Sequence, residues 1–154
     1  MRIKSIEFKN FASYGNKAQT LSFEDDKAEL FLTTGKNGDG KTTIANAIVF
    51  GLYGKLEGVK LQDLPNRINK SLMVKLKVQW KNIEVDIERG LAPNHFKVML
   101  NGIEFDKAGK KSVQEYLEEE VYGIPYHVFK NIIILSLVSL VFVSTTLACS
   151  CYNI

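Results

Sequence analysis

The segment 35–42 constrains the fold of this chain more than any other part of the sequence, because it matches the pattern Gly-x-x-x-x-Gly-Lys-Ser/Thr. A short apolar run at 29–34 precedes it, and apolar residues with helical spacing follow it at Ile44, Ile48 and Leu52. A buried strand, a glycine-rich turn and a helix in this order form a phosphate-binding loop, or P-loop. The motif therefore predicts an α/β fold with a nucleotide site at this turn.

Each residue type in the P-loop has a chemical role. Glycines let the backbone turn so that several N–H groups point at one phosphate. Lys41 is suited to the β- and γ-phosphates, and the Thr42 hydroxyl is suited to Mg²⁺. The expected cofactors are therefore ATP and Mg²⁺, with Thr42 as the metal-binding side chain. We expect eight loop residues to bind the nucleotide: Gly35, Asn37, Gly38, Asp39, Gly40, Lys41, Thr42 and Thr43.

The rest of the chain shows mostly strand patterns. With 45% hydrophobic and 24% charged residues, the 154-residue chain has the composition of one globular domain. Alternating apolar and polar residues predict strands at 3–8 and 21–23. Three further alternating runs and the hairpin turn Asn101-Gly102 predict a small antiparallel sheet over 72–103. With the buried strand before the P-loop, the predicted architecture is a mixed sheet with an antiparallel β subdomain.

Two helices are predicted after this sheet. Ser112 and Glu115 have the spacing of a capping box, which indicates a helix that begins at Ser112 and ends at Gly123. A second, short helix covers about 126–131.

Four stretches narrow the class of protein. They are the Asn-Gly pair inside the P-loop, the opening 3–14 with its Asn-Phe-x-Ser turn, the segment 47–54 and the segment 129–132. Together they resemble the ATPase heads of the SMC-like and ABC-type class. Within that class they resemble the SbcC-type double-strand-break repair ATPases, and among these the large subunit of phage recombination endonucleases. The resemblance covers 1–137 and corresponds to the N-terminal lobe of a head.

The resemblance implies a fold, partners and a location. The fold would be the N-terminal lobe of a P-loop ABC/SMC-type ATPase, in which ATP binding drives two heads to dimerise and gates DNA processing. The implied partners are a second ATPase head, an SbcD-type metallo-nuclease subunit and double-stranded DNA. The implied location is the cytoplasm, or the host cytoplasm if the chain is phage-encoded.

This sequence departs from the family pattern at three positions. Family members often carry a basic residue where Ala12 stands, a small residue where Asp39 stands and a glutamine near Leu137. A carboxylate beside phosphates raises the electrostatic energy unless it points away or faces Mg²⁺. The nucleotide contacts at Ala12 and Asp39 are therefore open questions at this point.

Two groups needed for hydrolysis in this class are missing from the sequence. We find no apolar run that ends in Asp-Glu and no Leu-Ser-Gly-Gly signature. The chain alone is therefore expected to bind ATP without hydrolysing it. Two alternatives remain open, namely a non-catalytic half-head that binds or inhibits a partner ATPase or nuclease, and a stand-alone P-loop kinase.

The apolar tail, 138–154, is set apart from the lobe 1–137. No charged residue occurs in 132–151. Three interpretations are open: two buried strands of the head, a change of reading frame or truncation near Leu137, and a membrane span. Its Ser and Thr content, and the lack of Lys or Arg on its C-terminal side, argue against a membrane partner.

A basic stretch follows the P-loop helix. The net charge of +3 is too small to indicate nucleic-acid binding by itself. Lys60, Arg67 and Lys70 form either an ordinary solvated edge or a contact for DNA phosphates. The two histidines, His95 and His127, have no ligand-type neighbours at metal-binding spacing, so no further metal site is expected.

Overall fold

A six-stranded sheet forms the framework of the computed structural model, which describes residues 1–23, 33–36, 38–105 and 113–133. The order of the strands is β2-β1-β3-β4-β5-β6, and each neighbouring pair is antiparallel. The strands are β1 (Arg2–Lys9), β2 (Gln19–Ser22), β3 (Leu72–Trp80), β4 (Ile83–Leu91), β5 (His95–Leu100) and β6 (Ile103–Glu104).

The helices are few and mostly short. The longest is α1 (Lys41–Tyr53), and a 3₁₀ turn follows at Leu61–Asp63. Helix α2 (Val113–Tyr116) continues as wider π-type turns over Leu117–Tyr122, and α3 (Tyr126–Val128) continues in the same way over Phe129–Ile133. None of the helices in the part of the chain that the structure describes is long and apolar enough to cross a bilayer.

Alternation along β3 determines which face of the sheet is covered. Leu72, Val74, Leu76 and Val78 are buried, whereas the intervening lysines are exposed. Successive side chains of a strand point to opposite faces, so this pattern produces one apolar and one wet face. Ile6 and Phe8 of β1 lie directly beside Leu76 and Val74 and extend the apolar face.

The predicted antiparallel sheet is confirmed, and it is larger than the sequence indicated. Strand β1 pairs with β3, so the N-terminal strands join the same sheet instead of forming a separate layer. The strand predicted at 29–34 falls outside the described residues over 29–32, as does the helix start at Ser112. All strand pairs of the described residues are antiparallel, so the parallel part of the expected mixed sheet stays a prediction. The tail 138–154 lies outside the described residues too.

Helix α1 packs on the apolar face of the sheet through Gly51. A methyl group at Gly51 would collide with Leu76, so only glycine allows the helix this close to β3. The helix ends at Gly54, which has φ 69° and donates its N–H to the Phe50 carbonyl at 2.7 Å. This is a left-handed C-terminal cap, a position that glycine commonly occupies.

Arg89 joins the end of α1 to the sheet. Its Nε donates to the Gly51 carbonyl at 3.1 Å, and its guanidinium lies 3.8 Å from the centre of the Phe96 ring. Gln114 accepts from the same guanidinium and donates to the Leu52 carbonyl at 3.1 Å. Burial lowers the pKa of Arg89 to about 10. A cation near helix carbonyls that lack an intrahelical partner stabilises the helix end.

Candidate nucleotide-binding site

The P-loop leads into α1 through two glycines with left-handed backbone. Gly38 has φ 93° and Gly40 has φ 88°, a region that non-glycine residues rarely adopt. Gly40 is the N-cap of α1, and its carbonyl accepts the N–H of Ile44 at 3.2 Å. Lys41 and Thr42 therefore occupy the first turn of the helix, where backbone N–H groups lack intrahelical partners. This arrangement suits a bound anion.

Tyr14 supports this loop from the turn that follows β1. A methyl group at Gly40 would lie 2.7 Å from both Cε2 and the hydroxyl oxygen of Tyr14. The Tyr14 hydroxyl donates to the Asp39 carbonyl at 3.3 Å. The Tyr14 ring also meets the Phe8 ring edge-on, with centroids 4.9 Å apart. Sequence reasoning missed this role, although Tyr14 directly follows the Asn-Phe-x-Ser turn.

Lys41 folds back along the loop. Its Nζ donates to the Gly35 and Lys36 carbonyls, each at 2.6 Å. The Asp39 carboxylate accepts the Lys36 N–H at 2.6 Å. The charged side chains of Lys41 and Asp39 therefore both contact residues 35 and 36.

The structure brings together the predicted nucleotide residues that it describes. Gly35, Gly38, Asp39 and Thr42 are exposed and Gly40, Lys41 and Thr43 are half-buried. Asn37 lies outside the described residues. The loop is therefore open to solvent, as a site for a soluble nucleotide must be.

The three basic residues predicted to contact DNA are all exposed. Arg67 and Lys70 line one cleft of about 670 Å³, together with Asp63, Asn66 and Asn94 among others. Lys60 does not line that cleft but precedes the 3₁₀ turn of its wall. The structure therefore brings two of the three cations to one concave surface.

The wall of this cleft is attached to the turn that carries Tyr14. Ala12 donates its N–H to the Leu64 carbonyl at 2.8 Å, and Asn66 donates its N–H to the Asn10 carbonyl at 2.7 Å. The Asn66 side chain also donates to the Ala12 carbonyl at 3.1 Å. The turn 10–16 thus contacts the P-loop on one side and the basic cleft on the other.

Neither histidine takes part in a metal-type cluster within the described ranges, where no group of three or more His, Cys, Asp or Glu residues occurs. His95 Nε2 lies 3.2 Å from a carboxylate oxygen of Glu88. His127 is exposed.

The antiparallel sheet with the P-loop helix across its apolar face forms an SMC ATPase head-like fold. The chain belongs to the AAA domain family, whose model matches residues 5–132. The chain is related to subunits of DNA repair and recombination nucleases, including phage proteins. The family resemblance predicted from the P-loop and the opening strand is confirmed.

Curated relatives and a solved structure agree with this assignment. The chain is 33% identical over 136 residues to exonuclease subunit 2 of Enterobacteria phage T4, a match that covers 87% of this chain and 24% of that protein. It is also 33% identical over 115 residues to a subunit of the SbcCD nuclease of Staphylococcus saprophyticus subsp. saprophyticus, covering 73% of this chain and 10% of that protein. The chain thus spans about a quarter of the phage relative's length.

The fold matches a solved structure from work on ATP-driven dimerization and DNA-stimulated activation of SMC ATPases. The TM-score is 0.65 at 24% sequence identity, and the match covers 95% of this chain and 93% of the other. The predicted fold class is therefore confirmed.

Proposed function

We propose that residues 1–137 form the N-terminal lobe of an ATPase head that binds Mg²⁺-ATP through 35–43. The observation that carries this proposal is the left-handed backbone of Gly38 and Gly40 directly before Lys41 on the first turn of α1. A side chain on Gly40 would collide with Tyr14, so the loop needs glycine at this position. The family assignment favours such a head over a stand-alone kinase.

Lys41 is the main cation of this site. Its ammonium is held by two uncharged carbonyls, which it can exchange for phosphate oxygens through rotation of an unbranched side chain. Hydrogen bonds between charged partners are stronger than those to neutral carbonyls, so the exchange is favourable. Thr42 is exposed on the same turn, and its hydroxyl would hold Mg²⁺ beside the β- and γ-phosphates. Magnesium supplies positive charge that offsets the phosphate charge.

We further propose that this head works within a DNA recombination or repair nuclease complex in the cytoplasm. Two relatives, the phage exonuclease subunit 2 and the SbcCD nuclease subunit of Staphylococcus saprophyticus, support this role by their names. The partners would be a second head, brought into contact by ATP, and a metallo-nuclease subunit. The sequence contains no apolar run ending in Asp-Glu, so the chain alone should bind ATP without turnover.

Double-stranded DNA is the proposed substrate of that complex, with Lys60, Arg67 and Lys70 as candidate phosphate contacts. All three side chains are exposed, and none takes part in an ion pair among the described residues. Contacts to DNA phosphates require accessible positive charge and carry no sequence information. The cleft lined by Arg67 and Lys70 gives such contacts a concave surface.

Calorimetric titration of Lys41→Ala with Mg²⁺-ATP tests the nucleotide site. Charge-assisted contacts are worth about 1.5–3 kcal/mol, so we expect affinity to fall by at least about tenfold. Lys17→Ala is the matched control, because Lys17 is an exposed lysine outside the loop. Affinity of Lys41→Ala within about twofold of the parent chain would contradict the proposal.

A further inference from the structure

The Asp39 carboxylate is bound inside the P-loop instead of pointing away from it. Its Oδ2 accepts the Lys36 N–H at 2.6 Å, while the Asp39 N–H donates to the Lys36 carbonyl at 3.2 Å. Two hydrogen bonds therefore join Asp39 to Lys36. A methyl group built on Gly35 would lie 3.0 Å from the same oxygen, so the carboxylate lies directly against Gly35.

The Lys41 ammonium is bound to the same two residues. It donates to the Gly35 and Lys36 carbonyls, so the carboxylate and the ammonium both lie along 35–36. Phosphates that enter the loop must therefore draw Lys41 away from these carbonyls while the Asp39 carboxylate remains on the Lys36 N–H. Like charges only a few ångströms apart repel each other strongly where solvent screening is incomplete.

The Tyr14 side chain contacts the loop backbone at Asp39 and Gly40. The Tyr14 hydroxyl binds the Asp39 carbonyl, and the Tyr14 ring lies against Gly40 on its other side. Both neighbours of Asp39 in the chain are glycines with left-handed backbone. Tyr14 therefore orders the loop backbone at residues 39 and 40, while the Lys36 N–H holds the carboxylate.

We propose that Asp39 lowers the nucleotide affinity of this P-loop as an internal anion that opposes the phosphates. This inference rests on the proposed nucleotide site, and it assigns to Asp39 an effect opposite to that of a ligand. If Asp39 instead bound the Mg²⁺ of Mg²⁺-ATP, removing its charge would weaken ATP binding.

Two variants separate the charge of Asp39 from its hydrogen bond. Asp39→Asn retains an oxygen that can accept the Lys36 N–H, whereas Asp39→Ser is too short to preserve the contact in the same geometry. We expect Asp39→Asn to bind ATP about tenfold more tightly than the parent chain at low salt, both with Mg²⁺ and with EDTA. The gain should shrink as salt is raised, because exposed charges are screened. The ATP affinity of Asp39→Ser should exceed that of the parent chain by at least the same factor.

Glu120→Gln is the matched control, since Glu120 is an exposed carboxylate in the turns at Leu117–Tyr122 and outside the loop, and it should leave the affinity unchanged. Each variant should retain the parent's thermal unfolding midpoint, which shows that the loop change is local. Equal ATP affinity of the parent chain and Asp39→Asn would overturn the inference. It would also be overturned if Asp39→Asn bound ATP more weakly than the parent chain with Mg²⁺ but not with EDTA. Failure of every chain, the parent included, to bind ATP would overturn the proposed nucleotide site and this inference with it.

Discussion

Tyr14 lies so close to Gly40 that a single added methyl group on the glycine would come within 2.7 Å of the ring. Gly40 begins the P-loop helix, and Tyr14 belongs to the turn after the first strand. The contact thus joins the nucleotide loop to a turn that also contacts the basic cleft.

Gly40→Ala should abolish ATP binding and lower the free energy of unfolding by about 1–3 kcal/mol. Alanine is strained at φ 88° and would collide with Tyr14. Gly58→Ala is the control, because Gly58 also has positive φ, 74°, but has nothing within 4 Å of the added methyl group. Calorimetry and urea unfolding measure both effects. Equal losses in the two variants would mean that the Tyr14 contact is unimportant.

Tyr14→Phe should weaken ATP binding by about two- to fivefold, because the hydrogen bond that holds the Asp39 carbonyl is lost. Tyr53→Phe is a suitable comparison, since the Tyr53 hydroxyl also donates to a backbone carbonyl, that of Ile124, at 2.9 Å and away from the loop. Both variants should lose about 0.5–1.5 kcal/mol of stability. Only Tyr14→Phe should change the dissociation constant for ATP, and a change in both would assign the effect to global stability.

Tyr122→Phe should stabilise the protein by about 1 kcal/mol at neutral pH. The Tyr122 hydroxyl is buried and has no hydrogen-bond partner among the described residues, so it loses its water contacts on folding without replacement. Urea unfolding at pH 7 measures the gain. A loss of stability would show that the hydroxyl has a partner.

The same tyrosine makes a prediction for alkaline pH. Burial raises the pKa of Tyr122 far above its usual value of 10.0, so the unfolded chain releases this proton first. The contribution of Tyr122 to stability is therefore complete below pH 10 and decreases as pH rises above 10. Unfolding of Tyr122→Phe between pH 9 and 11 should show a smaller loss of stability than the parent chain. Identical slopes would contradict the raised pKa.

Replacing Lys60, Arg67 and Lys70 together with Ala should lower the slope of log affinity for DNA against log salt by about 3. Each lost phosphate contact releases about one counterion fewer. ATP affinity should not change, because none of the three residues lies in the P-loop. Fluorescence anisotropy with duplex DNA at several salt concentrations measures the slope.

The control variant for this experiment removes three positive charges from the wet face of the sheet. Lys75 pairs with Glu88 at 3.6 Å and Lys97 pairs with Glu104 at 2.8 Å, and Lys77 is exposed on the same strand as Lys75. Changing these three lysines to Ala should leave the slope close to that of the parent. Absence of DNA binding by the parent chain would remove the DNA proposal and leave the nucleotide proposal standing.

Several elements were predictable because their signals are local. The bounds of β3 follow from the alternation between Leu72 and Trp80, and α1 ends at Gly54 as the C-terminal glycine indicates. The hairpin at Asn101-Gly102 forms between β5 and β6 with Leu100 opposite Ile103. In each case, residues a few positions apart determine the backbone.

The pairing of β1 with β3 was not predictable. More than sixty residues separate the two strands, and neither strand has a local pattern that specifies its partner. The burial of Arg89 was not predictable either. Arg89 reads as an ordinary strand residue in the sequence, yet the fold buries it against the carbonyl of Gly51 and the amide of Gln114.

The sequence by itself determined that this chain has a P-loop, because glycines with left-handed backbone and a lysine at the helix start are requirements of a short segment. It also determined the family, through motifs that can be read without a structure. Only the tertiary structure decided that Tyr14 supports Gly40, that Arg67 and Lys70 share one cleft, and that the Asp39 carboxylate lies inside the loop. The physical reason is that these contacts depend on two things: which chain segments the sheet pairing brings together, and the direction in which each side chain points. The spacing of neighbouring residues specifies neither of them.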